Sequence, residues 1–121
     1  MEEKTKEKQN FYNLFVYGTL QQGQSRNFIL QGLKFEKATL PNHRKLEPPS
    51  LGFPFIVRND SNNVHGEVYF DISQSLINEL DRIEGEGYLY HRIMVKVITD
   101  NGKEVEAFTY YPSEKLIKNY I

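Results

Sequence analysis

Cysteine and tryptophan are both missing from the 121 residues, and only two methionines occur. Without cysteine there is no disulfide framework, no thiolate nucleophile and no Cys-ligated metal. A reducing compartment fits this usage. An excess of one charge is missing too. Lys plus Arg number 15 and Asp plus Glu 16, a formal net charge of −1. Such a balance carries no electrostatic footprint for nucleic acid or an anionic membrane. No apolar run approaches membrane-spanning length. Met1 to Asn10 (MEEKTKEKQN) is highly charged and lacks the apolar core of a signal peptide. The expectation is a cytoplasmic protein, monomer or homodimer, with no nucleic-acid and no membrane partner.

The composition suits one ordinary domain: 39% hydrophobic and 26% charged, at a length that can bury a core without staples. Residues 1–10 read as a charged tail and residues 11–121 as the domain. Phe11 to Tyr17 (FYNLFVY) reads as a short buried strand ending at Gly18. Ser25 is the candidate cap of a short helix through Leu30, with Gly32 near its end. Lys34 to Leu40 alternates as a strand. Pro41 to Pro54 holds four of the five prolines and reads as a long loop with edge-strand pieces, the kind of segment often used for binding. Phe53 to Val57 is a candidate short strand, and Asn59 to Asn63 a turn. Val64 to Ile72 reads as a strand with Gly66 at a bulge.

Ser73 to Ile83 is the best helix. Leu76, Ile77, Leu80 and Ile83 share one face, Ser73 or Asp71 caps the start, and Gly85 follows the end. Arg92 to Ile98 and Val105 to Tyr111 read as strands joined by the Asp100-Asn101-Gly102 hairpin turn. About six strands and one or two helices result. Parallel crossovers need more helices. The fold class is therefore α+β: a small mixed, mostly antiparallel β-barrel with one principal helix and a pocket at its mouth.

Three stretches can carry chemistry. In Tyr17-Gly18-Thr19-Leu20, Gly18 removes a Cβ where the chain turns, so backbone N–H groups can approach a carboxylate. An ordinary strand end reads the same way. In Leu80-Asp81-Arg82-Ile83-Glu84-Gly85, two carboxylates share the last helical turn, against the helix dipole. Such conflicts mark working sites, and they raise a carboxyl pKa toward the range general acid–base chemistry uses. A solvated helix end is the plainer reading. The third is the tyrosine set Tyr88, Tyr90, Tyr110 and Tyr111. Tyr110 and Tyr111 point to opposite faces, so one can present its hydroxyl to a pocket.

Weaker candidates give no pattern. His43, His65 and His91 lack metal-ligand spacing. Ser25, Ser50 and Ser61 sit in no nucleophile elbow. Lys34, Lys37, Arg44 and Lys45 read as a solvated basic face.

Taken in order, Val16-Tyr17-Gly18-Thr19-Leu20, Phe53-Pro54, Gly66-Glu67-Val68-Tyr69, Leu80-Asp81-Arg82-Ile83-Glu84-Gly85 and Tyr90-His91-Arg92 resemble the gamma-glutamylcyclotransferase-like (AIG2-like) superfamily. The resemblance runs from about Phe15 to Tyr111. It implies a cofactor-free and metal-free enzyme of acyl-transfer type. The α-amine of a γ-glutamyl substrate attacks its own γ-carbonyl, releasing 5-oxoproline and an amine or amino acid. It implies Glu84 as the general acid/base, with Glu86 outside the motif frame. It implies substrate binding by Tyr17, Gly18, Thr19, Leu20, Tyr90 and Tyr110. The alternative is a non-catalytic module on the same barrel that binds a small carboxylate or a partner, since a fold does not fix function.

Overall fold

A computed structural model describes residues 11–51, 54–85 and 89–120. The charged tail, Phe53, Glu86 and Tyr88 lie outside the described residues. The chain runs β1 (Phe11–Val16), a short 3-10 turn (Asn27–Leu30), β2 (Phe35–Leu46) and β3 (Phe55–Ser73). It continues through α1 (Gln74–Glu84), β4 (Tyr90–Thr99), β5 (Glu104–Pro112) and α2 (Glu114–Tyr120). The strands follow one another in the order β1-β3-β2-β4-β5 and the sheet closes on itself. All neighbours are antiparallel except β1 and β5, whose parallel pairing at Leu14 and Phe108 completes the ring. This is the mixed, mostly antiparallel α+β class expected, as a strongly curved five-stranded sheet with one long and one short helix.

The continuous apolar character of β1 has a direct cause. Leu14 and Val16 pack on one face with α1, α2, Phe55 and Tyr69. Phe15 and Tyr17 pack on the other with side chains from all the remaining strands, including Ala38, Val68, Val97 and Ala107. A strand buried on both faces cannot alternate polar and apolar residues.

Helix α1 forms where its signals sit. Ser73 Oγ accepts the Leu76 N–H at 3.2 Å. Ile77 and Leu80 are fully buried. Gly85 adopts the left-handed conformation (φ 65°) and ends the helix immediately after Glu84. The β4–β5 turn also forms as read, with Gly102 at φ 90° and its N–H donated to the Thr99 carbonyl.

Several expectations are corrected. Among the described residues there are five strands, because β3 is one strand of 19 residues. The turn at Asn59–Asn63 is an excursion on this strand: pairing jumps from Arg58 to Asn63 while β2 moves only from His43 to Pro41. Ser61 N–H donates to Asn59 Oδ1 within it. Pro41 lies inside β2, at this irregularity, where a missing N–H costs no ladder bond. Asn42 takes a positive φ of 61° beside it. The loop therefore begins only after Leu46. The expected helix from Ser25 is a single 3-10 turn flanked by Arg26, with no side-chain cap. Helix α2 is an addition to the expected elements; Ser113 caps it as Ser73 caps α1, its Oγ accepting the Leu116 N–H at 3.2 Å.

Gly66 is not a bulge; it pairs in register with Ala38. Its role is close approach. A Cβ there would lie 2.3 Å from the Val16 carbonyl oxygen and 2.8 Å from the Phe15 ring. Neither can retreat, since one is backbone and the other core. Gly66→Ala is expected to destabilise the fold by about 2–4 kcal/mol, read as a lower chemical-denaturation midpoint. A near-neutral effect would show that β1 and β3 can part at this point.

Candidate active site

The site is built where β1 ends. After Val16 the chain leaves the sheet through Tyr17-Gly18-Thr19-Leu20. The loop is closed by Gln21 N–H to Gly18 O at 3.0 Å, Gln24 N–H to Gln21 O at 2.9 Å and Arg26 N–H to Thr19 O at 2.8 Å. Among the described residues, Gly18, Thr19 and Leu20 donate none of these turn bonds. Gly18 is required sterically, since a Cβ there would sit 2.8 Å from Pro54 Cγ.

Behind the loop, β3 supplies a polar brace. Glu67 is buried, and its Oε1 accepts the Gln22 N–H at 2.8 Å and the Tyr69 hydroxyl at 3.3 Å. Asn27 donates to the Tyr69 hydroxyl and to Leu20 O, both at 2.8 Å.

A cavity of about 340 Å³ opens beside the loop. The seven site residues that the family resemblance implied all line it: Tyr17, Gly18, Thr19, Leu20, Glu84, Tyr90 and Tyr110. They come from the β1 loop, the end of α1, the start of β4 and the end of β5. Tyr88 lies outside the described residues. Tyr111 faces the other way, packing edge-on against His43, and its hydroxyl accepts the Arg58 N–H. Among the described residues there is no cluster of His, Cys, Asp and Glu able to hold a metal.

The two carboxylates of α1 part company. Asp81 is ion-paired: Arg92 reaches it twice, Nε to Oδ1 at 2.8 Å and the terminal nitrogen to Oδ2 at 3.1 Å. Asp81 Oδ1 also accepts the Tyr110 hydroxyl at 2.7 Å. Arg92 is itself stacked on the Phe108 ring, 4.5 Å from its centre. Glu84, whose side chain is only 14% exposed, faces the cavity wall with Arg26 3.8 Å away. Burial raises the Glu84 pKa above its ordinary value, and the Arg26 guanidinium opposes part of that rise. Burial likewise pushes the hydroxyls of Tyr17, Tyr90 and Tyr110 well upward, with the nearby Glu84 charge adding to each. All three therefore act as neutral hydrogen-bonding groups near neutral pH. Tyr90 donates to Pro54 O at 2.8 Å and Tyr17 to Tyr110 O at 2.5 Å.

The residue sequence reasoning missed is Arg26. It stands in a short polar loop, and only the fold reveals its proximity to Glu84. The partnership of Asp81 with Arg92, eleven positions away, was equally invisible.

Comparison with known proteins places the chain in a family. The family model described as gamma-glutamyl cyclotransferase, AIG2-like, matches residues 14–120. The chain belongs to that family. It is 33% identical over 112 residues to gamma-glutamylaminecyclotransferase A of Danio rerio, covering 84% of this chain and 69% of that protein. It is 28% identical over 101 residues to AIG2-like protein B of Arabidopsis thaliana, covering 82% of this chain. Here the chain spans only 58% of the relative's length. A solution structure of an Arabidopsis thaliana protein shares the fold with a TM-score of 0.74 at 28% identity, covering 87% of this chain and 70% of that one. No helix among the described residues is long and apolar enough to cross a membrane.

Two outcomes are expected of the α1 carboxylates in this AIG2-like site. Because the folded protein keeps the Glu84 proton to higher pH than the unfolded chain, this group costs stability as pH rises through its ordinary value of 4.5. Glu84→Gln should therefore raise Tm relative to the parent at neutral pH, and the gain should vanish in acid, below that value. A gain independent of pH would show that Glu84 is not shifted by burial. Asp81→Asn should do the opposite. It removes the carboxylate that holds Arg92 and the Tyr110 hydroxyl, and should destabilise by about 1–3 kcal/mol, measured by denaturant titration.

Proposed function

We propose that this AIG2-like protein is a γ-glutamyl cyclotransferase. The observation that carries the reading is that a mostly buried glutamate, Glu84, and the tight turn Tyr17 to Leu20 line one cavity. At about 340 Å³ it lies at the small end of ligand sites. A γ-glutamyl group is a small, flexible molecule with a zwitterionic head, and the cavity offers both charges through Arg26 and Glu84.

In this reading the loop N–H groups take an oxygen of the glutamyl unit, and the tyrosine hydroxyls bound its shape. Glu84, poised by its raised pKa, accepts a proton from the substrate's α-ammonium. The freed nitrogen attacks the γ-carbonyl carbon. A new C–N bond closes the five-membered ring of 5-oxoproline, and the bond to the leaving amine breaks. Glu84 returns the proton to the leaving nitrogen as the bond breaks, then relays the second proton of the ring nitrogen to the freed amine, which departs as an ammonium ion. The proton balance closes on one side chain. The attack is intramolecular, so the protein's main task is to hold the folded conformer. Developing negative charge on the carbonyl oxygen is met by backbone donors. The name of the Danio rerio relative supports the amine-releasing form of this reaction.

The test is release of 5-oxoproline, read by mass spectrometry, from a panel of γ-glutamyl amino acids and γ-glutamyl amines. Glu84→Gln should lower kcat by about 10²–10⁴-fold while the protein stays folded. Undiminished turnover in this variant would remove Glu84 from the mechanism. A folded parent protein that binds panel members yet releases no product would favour a binding module instead.

A further inference from the structure

A second cavity, of about 370 Å³, lies against the first. The two share Tyr17, Gly18, Thr19 and Pro54 as common lining. Gly18 and Pro54 form part of the shared rim, and a Cβ on Gly18 would lie 2.8 Å from the Pro54 ring. Beyond the rim the chemistry changes. The first cavity holds tyrosines and a buried acid. The second is lined by Lys45, Glu47, Gln21 and Gln24, with Pro48 and Pro49 as rigid apolar wall.

We propose that this second cavity is the leaving-group subsite, and that it takes a leaving amine whose carbon chain ends in a carboxylate, bound by Lys45. The proposal rests on the cyclotransferase reading. If the glutamyl unit fills the first cavity, with the loop holding its carbonyl, the scissile amide lies near the shared rim and the remainder of the substrate extends past it.

Lys45 is already placed for the task. Its Nζ donates to the Tyr17 carbonyl at 3.1 Å, which fixes the ammonium at the rim. Glu47 stands 3.8 Å from the same Nζ but is 67% exposed. It acts as an internal stand-in for an incoming carboxylate. Exchanging one carboxylate for another at Lys45 leaves the local charge balance unchanged, and Glu47 loses little by returning to water, since exposed pairs are worth little. The two proline rings offer fixed apolar surface to a methylene chain. A leaving group ending in a cation would meet Lys45 with like charge.

The experiment uses γ-glutamyl ω-amino acids of rising chain length, each paired with the γ-glutamyl alkylamine of the same length that lacks the carboxylate. At the best length the parent protein should prefer the carboxylate member by about tenfold in kcat/KM. Lys45→Gln should abolish that preference, raising KM for the carboxylate series about tenfold more than for the alkylamine series. Glu47→Gln should move the preference the other way, strengthening it. Opposite shifts of this kind cannot come from loop damage, which would lower both series together. Equal loss in both series, or a preference that survives Lys45→Gln, would overturn the subsite.

If the parent protein releases no product from any member, the cyclotransferase reading fails, and the subsite is then read without turnover. Free ω-amino acids are titrated into isotope-labelled protein and followed by NMR. Saturable shifts at Gln24 and Lys45, lost in Lys45→Gln, would keep the carboxylate site. Absence of any shift would remove it.

Discussion

The buried carboxylate of Glu67 is the tie on which the site depends. It sits in β3, next to Gly66, at the point where β1 and β3 are pressed together. Its Oε1 holds the Gln22 N–H and the Tyr69 hydroxyl, and Asn27 carries the bonding on to the Leu20 carbonyl. A loop of this length is not stiff by itself. Here both of its halves are bonded to a strand that cannot move, and a buried acid that is well supplied with donors is stable where an orphaned one is not. The position of Arg26 follows, because the Arg26 N–H closes on Thr19 within the same braced loop. So does the opening of the cavity beside Glu84.

The end of α1 shows how environment assigns different work to like side chains. Asp81 and Glu84 lie three positions apart on one helix. Asp81 meets Arg92 and becomes a structural anion that orients Tyr110. Glu84 meets burial and a more distant guanidinium, and its carboxyl is held above the ordinary carboxylate range. The fully hydrogen-bonded Asp81 also explains why the helix tolerates acidic residues at its unfavourable end: one of them is neutralised across the chain.

Much of this was legible in the sequence wherever the cause was local. Ser73 and Gly85 bound α1 because a hydroxyl and a missing Cβ act within a few residues. Asp100-Asn101-Gly102 makes its turn for the same reason. The seven residues drawn from the strand end, the helix end and the tyrosines line one cavity, and the family likeness had grouped them. What escaped was decided at a distance. Pro41 lies in a strand because its partner is irregular there. Asn59–Asn63 looks like a strand break but bulges from an unbroken ladder. Gly66 looks like a bulge but is a contact. Arg26 and the Arg92–Asp81 pair have meaning only once separate segments meet. Lys45 looked like one of several solvated bases until its ammonium was seen on the Tyr17 carbonyl.

The closure of the sheet carries a consequence for how the cavity comes into being. The last neighbours in the ring are β1 and β5, joined at Leu14 and Phe108, so the first and last strands of the domain meet only when nearly all the intervening chain is in place. Tyr17 and Tyr110 are bonded across that same seam. Contacts of such sequence separation form late and slowly, because their loop-closure entropy precedes any reward. The cavity is a property of the completed ring, and it appears and disappears with the cooperative unit rather than with any one element.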